Sequence, residues 1–512
     1  MWSKNPQRSV VNDKRLMVAI WLQLEPHQEL VGEGIAQHLA QLLHAWNDTC
    51  PGKAVLVAPR WSRRALEQFL CDNDLRQQRV SAKYCGPRIL TYSLQRKTIP
   101  IIDKEDGADF YLASLLEQTP LRGIVGLAIA PFVPFIIILS LAGSFLWAGI
   151  RGPLKRSRNL VGRIARAITF AQMASYINRH SQIDRCLVPI GNWALCRLIK
   201  HKRLIVQIPD VVFLEFPELF EANTGVMPLM RQIRKVADRA DAVVAVSEHV
   251  RRKHLIEFLG VPPSTARAVP HAPMTLDSCL MKFTKTDFVP SRQVLRDMLA
   301  SAVCTLIDSS EYGNKIGESL EWLAAIRRID VAKSHLLYYP TQYRPYKNIE
   351  GVIEALASLP RPQRGPVVLL LTADVRNQST VFDVIRKHSL WDRVLPLPRL
   401  SQSLHALSLA ASDLSITASR FEGGFPFVFS ESVSVGTPVV MADTAITRSM
   451  APPNLRPRML FDTNRVSEIA RVVGKALADK TLYREQSRVL FSMKQQRSWG
   501  DVLREFVTAC DP

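Results

Sequence analysis

"FEGGFPFVFSESVSVGTPVV", residues Phe421 to Val440, sets two carboxylates on either side of a glycine turn and a helix start. Pro426 suits the first turn of a helix and Gly436 the position just past its end. The spacing therefore predicts a short helix over Phe427–Val435, followed by a strand near Pro438–Met441. Glycines directly upstream of a helix N-terminus let an anion approach bare backbone N–H groups at the positive end of the helix dipole. Gly423 and Gly424 are expected to admit a phosphate in this way. Glu422 and Glu431 then act as acceptors for hydroxyl groups rather than as phosphate ligands. A nucleotide sugar, which carries both phosphate and hydroxyls, satisfies the whole set.

The same logic extends upstream to "YYPTQYRPYKNIEGVIEAL", Tyr338 to Leu356, where a strand runs into a turn holding Arg344 and Lys347 before a helix opens near Asn348. Ligands of open α/β sheets bind beyond the carboxyl ends of the strands. Two cations there can neutralise a diphosphate leaving group, which gains charge as its bond to the sugar breaks.

Around these stretches the chain repeats one rhythm. Continuous apolar runs, expected of strands buried on both faces, occur at Leu16–Leu22, Ala54–Pro59, Leu204–Ile208 and Ala242–Val246. Val31 to Leu43 adds a glycine turn (Gly32, Gly34) leading into an amphipathic helix. A second series starts at Leu336–Pro340 and continues through Val367–Leu371, Leu414–Thr417 and Pro438–Met441. The expectation is an α/β chain of two doubly wound domains: an N-terminal domain over 1–275, a linker or helical insertion over 276–331, a C-terminal domain over 332–490, and a final helical segment, 491–512. His254, in a basic helical stretch, reads as a surface residue. His271, in Val269-Pro-His-Ala-Pro273, reads as part of a hinge.

At 512 residues, 47% hydrophobic and 22% charged, the composition is globular, and the net charge of +20 draws the chain toward something anionic. Eight scattered cysteines without zinc-site spacing read as reduced thiols, and the polar, basic start of the chain does not resemble a cleaved signal peptide. Ile124 to Ile150 is twenty-seven residues without a charge, followed by Arg151, Lys155, Arg156, Arg158, Arg163 and Arg166 with no acid before Asp184. Roughly 20 apolar residues suffice to cross a bilayer. Strands expected on both sides of this run belong to one sheet, and Pro131 and Pro134 interrupt it. A re-entrant or shallowly inserted segment is therefore preferred to a span, with Leu160–Ile177 lying on anionic headgroups beside it. Tying the basic run to an apolar segment also argues against a nucleic-acid partner.

Ser419-Arg-Phe-Glu-Gly-Gly-Phe-Pro followed by Glu431-Ser-Val-Ser-Val-Gly-Thr-Pro-Val-Val440 closely resembles the paired-glutamate signature of retaining GT-B glycosyltransferases of the group 1 class. Arg344-Pro-Tyr-Lys-Asn348 looks like the phosphate-binding turn of that class, especially in bacterial polysaccharide mannosyltransferases. Ala237 to Pro273 resembles the stretch that closes its N-terminal domain, and Trp499 the tryptophan of a final helix that returns there. The resemblance implies that Glu431 and the Gly423-Gly424-Phe425 loop bind the donor, with Glu431 on the ribose hydroxyls. It further implies that Glu422 contacts the transferred sugar, that Arg344 and Lys347 hold the diphosphate, and that Gly34 approaches the donor or acceptor from the facing domain. Two departures stand out. Glu422 and Glu431 are one residue further apart than in the common pattern. Where many members carry a His-Asp pair, this chain has Ile208-Pro209-Asp210, with Asp210 as the candidate for that position.

By the same resemblance the reaction retains configuration and needs no metal and no cofactor beyond the nucleotide-sugar donor. The expected activity is transfer of a hexose, such as mannose from GDP-mannose, to a lipid-linked or glycan acceptor. The expected setting is bacterial exopolysaccharide or lipopolysaccharide biosynthesis, at the cytoplasmic face of the inner membrane and held there through 124–150. The alternative is a non-catalytic GT-B shell that binds a sugar nucleotide or scaffolds a membrane complex.

Overall fold

The computed structural model describes residues 16–26, 34–75, 79–86, 151–220 and 225–511, the last with short breaks at 287, 310–311, 313–319, 360–364, 376–377, 398–399 and 495. The expected apolar insertion, 124–150, and the Gly32-Glu33 pair lie outside the described residues. The chain divides into two compact units, Met1–Val269 with Trp499–Pro512, and Pro270–Ser498.

Among the described residues the first unit is built on seven parallel strands in the order β3-β2-β1-β4-β5-β6-β7. In sequence they are β1 (Met17–Trp21), β2 (Lys53–Pro59), β3 (Val80–Cys85), β4 (Ile183–Val188), β5 (Arg203–Gln207), β6 (Ala242–Ala245) and β7 (Ala266–Ala268). The apolar runs read from the sequence are its inner strands. Val18, Ala19, Ile20 and Trp21 are almost wholly buried, as helices on both faces of a parallel sheet require. Strand β4 carries Asp184 and Arg185 inside a central position. Arg185 is buried there because its guanidinium donates to Asp184, to Asp511 and to the Val507 carbonyl (2.6 Å). Those last two partners come from the end of the chain. Its closing helix, Trp499–Val507, packs on the helix Gly34–Thr49, with the Trp499 and His38 rings 5.5 Å apart.

The helix Arg151–Arg179 corrects one expectation. From residue 162 onward it is a core helix rather than a segment lying on headgroups: Ala165, Ala167, Phe170, Met173, Ala174 and Ile177 are buried, and it packs on β2 and β3. Even Arg166 is buried, paired with Glu25 at 3.1 Å. The fit is close enough to demand a glycine opposite. Gly86 has φ +112°, and a Cβ there would meet Thr169 Oγ1 at 2.6 Å. Among the described residues no helix is long and apolar enough to cross a membrane.

Among the described residues the second unit holds six parallel strands in the order β10-β9-β8-β11-β12-β13. These are β8 (His335–Tyr339), β9 (Val367–Leu371), β10 (Val394–Pro396), β11 (Leu414–Thr417), β12 (Val439–Ala442) and β13 (Leu460–Phe461). The stretch 276–331, expected as a linker or insertion, belongs to this unit. Its helices Asp277–Thr284, Arg292–Ile307 and Leu320–Ile326 bury Leu280, Leu295, Leu299, Val303 and Trp322 in the main core. Tyr312 O–H and Trp322 Nε1–H cap the carbonyls of Pro396 (2.7 Å) and Val394 (3.1 Å) on the edge strand β10.

One buried carboxylate ties these layers together. Asp413, at the start of β11, accepts from Lys480 Nζ (2.7 Å), from the Leu336 N–H of β8 (3.0 Å) and from the Arg296 guanidinium. Burial alone would raise its pKa, but Lys480 and Arg296 outweigh that cost and hold it below the usual carboxylate range. A carboxyl with a lowered folded pKa stabilises the fold above its unfolded value of about 4 and loses that contribution as pH falls through the folded value. Asp413→Asn is expected to cost about 2–4 kcal/mol at neutral pH, because it leaves two half-buried cations without their counter-charge. Denaturant unfolding should show that gap at neutral pH and a narrowing gap as the pH is lowered below about 4.

Candidate functional site

In the second sheet the chain reverses direction between β8 and β11, which lie side by side. Their carboxyl-terminal loops diverge and leave a crevice, the place where doubly wound sheets bind ligands. Both motifs of the sequence start there. The β8 loop carries Arg344 and Lys347, and the β11 loop carries Glu422, Gly423 and Gly424 before the helix Phe427–Ser434. That helix starts after Pro426 and ends before Gly436, whose φ of +83° closes it.

The two loops are held to each other. Arg420 N–H donates to the Tyr346 carbonyl (2.7 Å), and Lys347 Nζ binds Glu422 Oε1 at 3.0 Å with both side chains about four-fifths buried. Lys347 is fixed from behind by its own N–H on the Arg344 carbonyl (2.9 Å) and by Tyr339 O–H on its carbonyl. Asn348, in the left-handed region at φ +51°, sends its side-chain amide to the Thr463 carbonyl (2.7 Å) and hydroxyl (2.9 Å). Thr463 Oγ1–H in turn donates to the Ala418 carbonyl, closing a ring of hydrogen bonds from one loop to the other. Arg344 is exposed and donates to Gln342 at 3.3 Å. Phe425, named among the donor-binding residues, spends its ring on packing: it meets Phe429 edge-on at 4.9 Å beside a small apolar cluster.

Glu431, on the second turn of the helix Phe427–Ser434, is only 4% exposed. Its carboxylate faces His405 Nε2 at 3.4 Å, and His405 Nδ1 lies 2.8 Å from the Tyr338 hydroxyl. Tyr338 and Tyr339 are consecutive on β8 and so point to opposite faces, one toward Glu431 and the other toward the Lys347 turn. The sequence reading missed His405. It sits on the helix Gln402–Ala411, far from either motif in the chain, with no pattern of its own to mark it.

Asp210 and Gly34 belong to the first unit. Asp210 follows β5 and accepts from the Val212 N–H (3.2 Å), and Gly34 opens the helix Gly34–Thr49. His254 departs from expectation: it is fully buried rather than exposed. Its Nδ1 accepts the Val211 N–H (2.8 Å), next to Asp210, and its Nε2 meets Glu215 Oε2 at 2.8 Å. A π-helical turn, Val250–Phe258, carries it inward. A lowered pKa keeps Glu215 ionised. Burial opposes this, but His249, His254 and Lys253 (Nζ at 2.7 Å) outweigh it.

Glu215, His249 and His254 bring three possible ligand atoms within 4.8 Å of one another. A metal does not fit them. Since a backbone N–H can only donate, His254 Nδ1 must hold the lone pair and Nε2 the proton, leaving Nε2 no pair for a cation. Lys253 already neutralises the carboxylate. The cluster pins the loop that carries Asp210.

Residues 327–489 match the family model of glycosyl transferases group 1. The match spans the whole of the second sheet, from β8 to β13. No curated protein matches the chain. Solved structures match along nearly all of it. HepE of Anabaena in complex with UDP-glucose is 13% identical at a TM-score of 0.57, over 96% of this chain and 98% of that one. Sucrose-phosphate synthase of Thermosynechococcus elongatus is 12% identical at a TM-score of 0.54, over 95% and 96%. The N-terminal domain of Candida albicans trehalose-6-phosphate phosphatase is 12% identical at a TM-score of 0.55, over 98% and 97%. At such identities the likeness is one of fold, and the two parallel-sheet α/β units are like those of GT-B glycosyltransferases.

His254→Leu is expected to destabilise the protein by about 1–3 kcal/mol, since it leaves the buried Val211 N–H without its acceptor and removes one of the partners of Glu215. Added zinc is expected to leave the melting temperature of the wild type unchanged. Thermal unfolding with and without zinc checks both, and stabilisation by zinc that Glu215→Gln removes would restore the metal reading.

Proposed function

We propose that the protein is a glycosyltransferase that moves a hexose from a nucleoside diphosphate sugar to a lipid-linked or glycan acceptor with retention of configuration. One observation carries the reading: Lys347 and Glu422 meet at 3.0 Å across the crevice where the β8 and β11 loops diverge. Lys347 neutralises the diphosphate, Arg344 reaches it from the rim of the same turn, and the N–H groups opening the helix Phe427–Ser434 receive a phosphate oxygen past Gly423 and Gly424. When diphosphate engages Lys347, Glu422 is released from its ion pair and becomes free to accept from hydroxyls of the transferred sugar. Glu431 accepts from the ribose.

The acceptor hydroxyl attacks the anomeric carbon as the bond from that carbon to the phosphate oxygen breaks. The departing phosphate takes the hydroxyl proton, so the products are the glycoside and the nucleoside diphosphate. Cationic side chains and helix amides supply the charge that a divalent ion supplies elsewhere, so the reaction runs without metal. For the donor, the sequence resemblance favours GDP-mannose, while HepE was captured with UDP-glucose. The charge-free run at 124–150 and the basic residues directly after it, Arg151, Lys155, Arg156 and Arg158, favour a membrane-borne acceptor at the cytoplasmic face of a bacterial inner membrane, in surface polysaccharide assembly.

The test is release of nucleoside diphosphate from a panel of GDP- and UDP-sugars by detergent-solubilised protein in EDTA. One donor is expected to be turned over, and Lys347→Ala is expected to lower kcat by roughly 10²–10³-fold. Binding of a donor without release, with or without added lipid or glycan acceptors, would make the protein a sugar-nucleotide-binding shell instead.

A further inference from the structure

Within the candidate site the Glu431 carboxylate is sparsely satisfied. It is buried, yet among the described residues the hydrogen bond that reaches it comes from His405 at 3.4 Å, longer than the usual 2.7–3.2 Å. A carboxylate offers about four acceptor positions and no donor, so burial with one long partner leaves room for two further donors placed close together. The cis-diol of a ribose has that form.

His405 can help only if Nε2 carries the proton. The Glu431 carboxylate accepts only, so the nitrogen facing it donates, and in the neutral imidazole Nδ1 then holds the lone pair and takes the Tyr338 O–H at 2.8 Å. Tyr338 is completely buried on the central strand β8, and burial with the nearby Glu431 charge pushes its pKa well up, so the phenol keeps the proton it donates. In that tautomer the donors run from the core outward, from Tyr338 to His405 to Glu431.

We propose that His405, oriented by Tyr338, is a positioning residue that aims the Glu431 carboxylate at the ribose cis-diol of the donor, so that selectivity for a ribonucleotide depends on a histidine outside both motifs. This rests on the glycosyltransferase reading of the site, in which Glu431 faces the ribose. The device acts on binding of the nucleoside half, and leaves the diphosphate contacts of Lys347 and Arg344 untouched.

The experiment is calorimetric titration of the full-length wild type, His405→Leu, His405→Gln and Tyr338→Phe with whichever of UDP and GDP the wild type binds more tightly, and with its 2′,3′-dideoxy analogue. Melting temperatures confirm that each variant is folded. The wild type is expected to prefer the ribonucleotide by about tenfold or more, the worth of one to two hydrogen bonds to a charged acceptor. In His405→Leu that preference should fall to near unity, with affinity for the dideoxy compound unchanged. His405→Gln, whose amide can still donate, should recover part of it, and Tyr338→Phe should lose part of it without touching ligand.

Equal loss of affinity for both compounds in His405→Leu would mean a merely structural histidine and overturn the inference. An undiminished ribose preference in that variant would overturn it as well, leaving the glycosyltransferase reading intact. No binding of either nucleotide by the wild type, or binding without a ribose preference, would remove the role of Glu431 and the inference together.

Discussion

Strands β8 and β11 are hydrogen-bonded neighbours whose chains leave the sheet in opposite directions, and the polar organisation of the second unit follows from that divergence. Two loops that separate at a sheet edge leave backbone groups and side chains without the sheet to satisfy them. Here each loop satisfies the other. Arg420 and Tyr346 join main chain to main chain, Asn348 and Thr463 close the ring behind them, and Lys347 with Glu422 spans the opening. At the opposite end of the same strand pair, Asp413 binds the Leu336 N–H and gathers Lys480 and Arg296. The central strands are thus held at both ends by polar and charged contacts, and the two loops of the crevice are tied to each other where a ligand would meet them.

The parts of this arrangement that were legible in the sequence are those where local pattern and tertiary burial agree. Val367–Leu371 and Leu414–Thr417 are strands with the bounds read from their apolar runs, because a parallel strand covered on both faces has no reason to alternate. Pro426 and Gly436 bracket a helix because the local backbone demands it whatever lies around them. Strand β4 escaped the same reading because Asp184 and Arg185 break its apolar run. Arg185 is tolerated there through partners more than three hundred residues further along the chain, Val507 and Asp511, which no local window contains.

Two of the misread residues, His254 and Arg166, fail because charge was taken as a sign of exposure. His254 stands among Arg251, Arg252 and Lys253, yet a π-helical turn carries it inward to Glu215 while its neighbours remain nearer solvent. Arg166 belongs to a basic run that looks like a headgroup-binding stripe, but Glu25 receives it inside the first unit. The helices within 276–331 lack a strand rhythm and so looked like a tether, although Trp322 and Tyr312 hold the edge strand β10 through its carbonyls. His405 is the instructive case for function. Its importance comes from the distance to Glu431 across two packed helices, and sequence spacing encodes only which face of its own helix it occupies.

The Lys347–Glu422 pair also bears on how such a crevice could remain folded while empty. A lysine four-fifths buried and aimed at a phosphate position would be costly without a counter-charge, and a glutamate aimed at sugar hydroxyls would repel an incoming diphosphate if it stood alone. Paired, each lowers the cost of the other. A diphosphate then exchanges one anionic partner of Lys347 for another, so the net cost of stripping water from the lysine has already been met in folding. The carboxylate it displaces is released beside the sugar, where hydroxyl donors replace the ammonium. This exchange favours a ligand carrying both groups over inorganic phosphate alone, which would occupy the lysine and leave the glutamate unpaired in a half-buried site.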